Sequence, residues 1–164
     1  MRKRIAVCPG SFDPVTYGHR DIIRRASEIF DEVIVLVSVN HSKNPSFSVT
    51  ERIDMIKAVT DDLDNIEIDS FNGLLADYVK KREAVAIVKG LRAVSDFEYE
   101  FQQALANKKL YDGAETVFLT TKPENMFISS SVVKQIAQLG GDITDFVPGK
   151  VKDIIVERFS KRPL

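Results

Sequence analysis

His19 closes the run Pro9-Gly10-Ser11-Phe12-Asp13-Pro14-Val15-Thr16-Tyr17-Gly18-His19. The run lies between the apolar stretch Ile5 to Cys8 and a set of apolar residues, Ile22, Ile23, Ala26, Ile29 and Phe30, spaced to form one face of a helix. Prolines and glycines here mark a sharp exit from a strand, and Gly18 lets a ligand approach the backbone. The first turn of the helix then offers unpaired N–H groups and a positive dipole end to an anion. A histidine at that end can donate to a phosphate as it gains charge. A lone histidine is more often structural, and His41, the other histidine of the chain, has no comparable setting and reads that way.

Further polar residues fall just after other apolar runs. They are Lys43 in Asn40-His41-Ser42-Lys43, the stretch Lys89-Gly90-Leu91-Arg92, and the segment Asn125-Met126-Phe127-Ile128-Ser129-Ser130-Ser131. Taken singly, Lys43, Lys89 and Arg92 read as solvated charges, Ser129 to Ser131 as a helix cap, and Leu74 and Leu75 as core. Taken together, three cations and two helix starts aimed at one cleft would hold a triphosphate and a second phosphorylated substrate. Attack of an anionic phosphate or carboxylate on the α-phosphorus of a nucleoside triphosphate needs such donors and no general base. Nucleotidyl transfer is therefore the chemistry these residues suit.

Other chemistries lack their residues. The chain has no G-x-x-x-x-G-K-[ST], no G-x-G-x-x-G and no G-x-S-x-G. Ser11 with His19 lacks an esterase elbow, and Cys8 ends a strand, where a free thiol is usually buried and inert.

These residues are positioned by alternating elements. Short apolar runs at 5–8, 33–39, 66–68, 84–88 and 115–120 alternate with helical patterns. Ser48 and Glu51 are spaced as a capping box for a second helix. A third helix is expected over about 73–82 and a fourth from about Ser95 to Leu110. The fifth runs from about Ser130 to Leu139, stopped by Gly140-Gly141, and a last one follows Pro148. The order predicts a single-domain α/β chain: a Rossmann-like, doubly wound, parallel five-stranded sheet with C-terminal helices. Residues 1–160 form the domain and 161–164 a loose tail. In such sheets ligands bind beyond the carboxyl ends of the strands, where the polar segments fall.

Composition narrows the partners. With 23 Lys and Arg against 24 Asp and Glu, the chain of 164 residues has a formal charge of −1, without the broad basic footprint of a nucleic-acid binder. One cysteine, Cys8, excludes an intrachain disulfide and a multi-cysteine zinc cluster and suits a reducing compartment, with cytoplasm as the expectation. After the basic start Met1-Arg2-Lys3-Arg4 only four apolar residues precede Pro9, too few for a signal core, and no stretch approaches a membrane span.

Four segments, P-G-S-F-D-P-V-T-Y-G-H, S-K-N-P at 42–45, K-G-L-R-A-V-S-D-F-E-Y-E at 89–100 and F-I-S-S-S-V-V-K at 127–134, closely resemble those of the bacterial phosphopantetheine adenylyltransferases. The T-x-G-H element alone identifies only the wider nucleotidyltransferase superfamily, but the four in this order are far more specific. The resemblance, which covers nearly the whole chain, implies transfer of AMP from ATP to 4′-phosphopantetheine, giving dephospho-coenzyme A and pyrophosphate in coenzyme A biosynthesis. It implies that Ser11 and Phe12 contact phosphates and that His19 stabilises the transition state. Lys43 and Lys89 would hold phosphates, and Leu74 and Leu75 would line the pantetheine arm. Gly90, Leu91, Arg92, Glu100 and the 125–131 segment would surround ATP. Family members use Mg²⁺, through residues the motifs leave unassigned, assemble as homohexamers and can be inhibited by coenzyme A. Two positions depart from the family pattern. Lys89 stands where Arg is usual, keeping charge but losing the planar fork, and Cys8 stands where Tyr is common. Rival readings are a nicotinamide-nucleotide adenylyltransferase, a cytidylyltransferase, and a nucleotide-binding regulatory module without turnover.

Overall fold

A computed structural model describes residues 3–39 and 44–160. His41, Lys43 and the tail at 161–164 lie outside them. The chain runs β1 (Ile5–Gly10), α1 (Tyr17–Ile29), β2 (Glu32–Ser38), α2 (Val49–Val59), β3 (Ile66–Phe71), α3 (Leu75–Lys81), β4 (Ala86–Leu91), α4 (Val94–Leu110), β5 (Glu115–Thr120), a 3-10 turn over Pro123–Asn125, α5 (Ser130–Gln138) and α6 (Gly149–Ser160). The five strands form one parallel sheet in the order β3-β2-β1-β4-β5, the Rossmann-like architecture expected.

Alternation along the strands divides the core into two layers. On β2, Val33, Val35 and Val37 face one cluster, which includes Ile23, Ala26, Ile56, Val133, Val151 and Phe159 of the helices α1, α2, α5 and α6. Ile34 and Leu36 face the other, with Tyr78 and Val79 of α3. Burial on both faces is why β2 reads as an unbroken apolar run. Helix starts follow their caps: Ser48 accepts from Glu51 N at 3.2 Å while Glu51 accepts from Ser48 N at 2.8 Å. The C-terminal helix is fastened over α2, where Phe159 meets Phe47 edge to face at 6.0 Å and the Arg158 guanidinium lies 4.7 Å from the Phe47 ring centre.

Two strands extend further than their apolar runs. β1 continues through Pro9 and Gly10, and β4 through Lys89, Gly90 and Leu91, so the latter three are strand residues rather than loop residues. Pro9 is tolerated because β1 pairs with β2 from Ile5 to Gly10 but is in register with β4 only at Ala6 and Val7. Past Val7 no β4 strand asks for the missing N–H. The two central strands thus part company at their carboxyl ends, at the point where the strand order reverses.

Candidate active site

The parting of β1 and β4 opens a cleft of about 770 Å³. Cys8, Pro9 and Gly10 line it from β1, and Val88, Lys89 and Gly90 from β4. Ser11 and Phe12, Leu75, Arg92 and the stretch Ile128 to Ser131 complete the walls together with His19 and Glu100. Gly90 is demanded by close approach, since a Cβ there would lie 2.8 Å from Cγ1 of Ile22 on α1.

His19 is held by its own helix. Thr16 caps α1 by accepting from His19 N at 3.3 Å, and His19 Nδ1 accepts from Thr16 N at 3.1 Å. A ring nitrogen that accepts from an amide carries no proton, so the proton of the neutral imidazole resides on Nε2. Burial, with the Arg92 charge second, pushes the His19 pKa down to about 4. Phe12 meets the ring edge-on at 5.0 Å, from a backbone held at a left-handed φ of 48°. His19 is therefore a neutral donor at neutral pH, fixed in orientation before any ligand arrives.

The two described cations are tethered to the helix that follows them. Lys89 Nζ lies 3.1 Å from Glu100 Oε2, a buried oxygen that is paired by charge but has no hydrogen-bond partner among the described residues. Arg92 donates from Nε to Asp96 at 3.2 Å and from Nη1 to the Ile128 carbonyl at 3.1 Å. That second bond joins the end of β4 to the segment ahead of α5. Of the three serines, Ser129 caps α5 by accepting from Val132 N at 3.1 Å, and Ser130 donates to the Pro14 carbonyl at 2.8 Å. Ser131 stays exposed at the cleft.

The remaining candidates are placed less directly. Leu75 lines the cleft, whereas Leu74 is the half-exposed N-cap residue of α3. Leu91 is occupied in the sheet, its carbonyl accepting from Thr121 N. Asn125 is buried with its Cβ about 4.0 Å from where a Cβ on Gly18 would stand, and Phe127 turns to Phe146 at 5.7 Å. Met126 is exposed and, like Asn125 and Phe127, is not among the residues that line the cleft. Sequence reasoning passed over Asp96, Tyr99 and Thr121, which do line it. Asp96 and Glu100 are four apart and so share one face of α4, a spacing available as a signal that both carboxylates turn the same way. The Cys8 thiol, pushed up to about 12 by burial, stays protonated and inert.

A cytidylyltransferase-like family model matches residues 7–136. The chain is 56% identical over 158 residues to the phosphopantetheine adenylyltransferase of Caldanaerobacter subterraneus subsp. tengcongensis, covering 96% of this chain and 99% of that one. It is 58% identical over 154 residues to the enzyme of the same name from Dictyoglomus turgidum, covering 94% and 96%. Among solved structures, the nicotinic acid mononucleotide adenylyltransferase of Plasmodium falciparum aligns with a TM-score of 0.67 at 16% identity over 98% of this chain and 96% of that one. At such identity the likeness speaks for the fold alone.

Proposed function

The chain belongs to the phosphopantetheine adenylyltransferases, and from that membership we propose that it transfers AMP from ATP to 4′-phosphopantetheine, releasing dephospho-coenzyme A and pyrophosphate. The observation that carries the mechanism is the neutral, pre-oriented His19 in a cleft that also presents Lys89 and Arg92. A phosphate oxygen of the acceptor attacks the α-phosphorus of ATP. The new P–O bond forms as the bond to the bridging oxygen of the β-phosphate breaks, and pyrophosphate leaves with that electron pair. The nucleophile is already an anion, so no proton has to be removed.

His19 donates from Nε2 to a non-bridging α-phosphate oxygen, and the bond strengthens as charge builds there. Lys89 serves the acceptor phosphate, leaving Glu100 as it does so, and Arg92 serves the triphosphate. Lys43, outside the described residues, is assigned by the family pattern to the substrate phosphates. Among the described residues no group of three His, Cys, Asp or Glu is arranged to hold a metal. By the family resemblance Mg²⁺ is expected to arrive with the substrate as Mg-ATP, where it would offset the charge of the departing pyrophosphate.

Three further expectations belong to this reading: a homohexamer, feedback inhibition by coenzyme A, which carries the same pantetheine arm as the acceptor, and a cytoplasmic setting. The apolar side chains exposed along α4 support self-assembly. Among the described residues no helix is long and apolar enough to cross a membrane.

Pyrophosphate release by the purified protein with Mg-ATP tests the proposal in three arms: 4′-phosphopantetheine, nicotinamide mononucleotide and no acceptor. Release in the first arm only is the expected result. Release with the mononucleotide in place of phosphopantetheine overturns the substrate, and no release in any arm with ATP still bound overturns turnover itself.

A further inference from the structure

Three segments, two of which line the cleft, meet at one carboxylate. Asp13 is 6% exposed and does not line the cleft. Its Oδ1 accepts from Phe47 N at 2.9 Å, and its Oδ2 accepts from Ser46 N at 2.9 Å and from Lys134 Nζ at 2.7 Å. Ser46 and Phe47 lead into α2, and Lys134 belongs to α5, a turn beyond Ser129 to Ser131. Two other bonds run beside these. Ser130 Oγ reaches the Pro14 carbonyl, and the buried Arg52 donates from Nη1 to the Ser11 carbonyl at 2.8 Å.

The segment so tied holds Phe12 at its positive φ, with the ring against His19. A non-glycine residue in that region is strained and persists only where its surroundings over-determine it. Stability alone is a poor account of the pair, because a buried ion pair is often replaceable by apolar residues without loss. Geometry is the better one. The turn carrying Ser11 and Phe12 and the start of α5 both face the cleft, and the Asp13–Lys134 bond spans them directly.

We propose that Asp13 and Lys134 are positioning residues for adenylyl transfer, setting the distance between the turn after β1 and the α5 N-terminus so that the donors on both meet the same phosphate chain. This rests on the adenylyltransferase reading. Neither side chain touches the reacting atoms. A misplacement of about 1 Å at a reacting centre costs on the order of 10²-fold in rate, whereas a flexible triphosphate in the ground state adjusts to a looser cradle.

Lys134→Met tests this, with urea titration to verify that the variant is folded under assay conditions: it strips the buried Asp13 of its cation, but Lys134 is partly exposed, Met is as good a helix former, and Asp13 keeps its two backbone donors. Steady-state kinetics should show kcat reduced roughly 10- to 100-fold with the ATP KM changed less than about threefold. Lys134→Arg, which restores the cation, should recover most of the loss. Asp13→Asn combined with Lys134→Met should be no slower than the worse single variant, because the pair acts as one unit. A kcat for Lys134→Met within about twofold of wild type, or a loss that Arg does not recover, overturns the proposal. Wild-type protein that releases no pyrophosphate from Mg-ATP and phosphopantetheine overturns the adenylyltransferase reading instead, and this proposal with it.

Discussion

His19 carries the sharpest expectations at the residue scale. Replacing it with alanine removes a donor used chiefly in the transition state, so kcat should fall roughly 10² to 10⁴-fold with little change in ATP affinity. Near-normal turnover of His19→Ala would end that role. Its protonation has a definite sign as well. The native pKa of about 4 lies below the ordinary 6.5, so the folded state favours the neutral ring. The stability this contributes is fully present above about pH 6.5 and is lost as pH falls through 4. An NMR titration of the imidazole should place the midpoint near 4, with Nδ1 unprotonated at pH 7, and a midpoint of about 6 or above would show that the ring is not held as described. The place of His19 at a helix start was legible from Gly18 and the apolar spacing of α1. Its tautomer was not, because that depends on the amide of Thr16 three residues earlier turning onto the ring. Nor were the ion pairs of Lys89 with Glu100 and Arg92 with Asp96 foreseen, though both carboxylates lie within 11 residues of their partners.

Elements differ in whether they serve the cleft or only the fold, and substitution should separate the two. The capping box of α2 lies at the rim of the packing with α6, where Glu51 also pairs with Arg158. Ser48→Ala should therefore lower unfolding free energy by about 1 kcal/mol, read by urea titration, with kcat unchanged. A loss of turnover at undiminished stability would contradict that division. Helix starts and the alternation of strands with helices were legible because caps and periodicity are local, whereas the order of the strands in the sheet was not. The ends of β1 and β4 were not. Pro9-Gly10 and Lys89-Gly90 look like loop chemistry in one dimension, and only the register shows β2 continuing to pair with β1 after β4 has left it. The separation of those two strands is the architectural source of the cleft, and no sequence window contains both.

At the scale of the whole molecule, α4 leaves an unusual amount of apolar surface in solvent. Val94 is 87% exposed and Leu105 57%, and Phe97 stacks on Phe101 at 5.4 Å with both rings partly exposed. Copies of the chain should meet along this row. Leu105→Asp is expected to shift the mass measured by light scattering from an oligomer toward the monomer, and an unchanged oligomer would remove α4 from the contact. The same helix supplies Asp96, Tyr99 and Glu100 to the cleft, so its inner side steadies Arg92 and Lys89 while its outer side is open. Whatever grips the outer side limits the play of the inner one. For an assembly joined along α4 this predicts a dilution threshold: specific activity should hold constant at high protein concentration and decline on dilution, although no subunit would have lost a single residue of its own cleft.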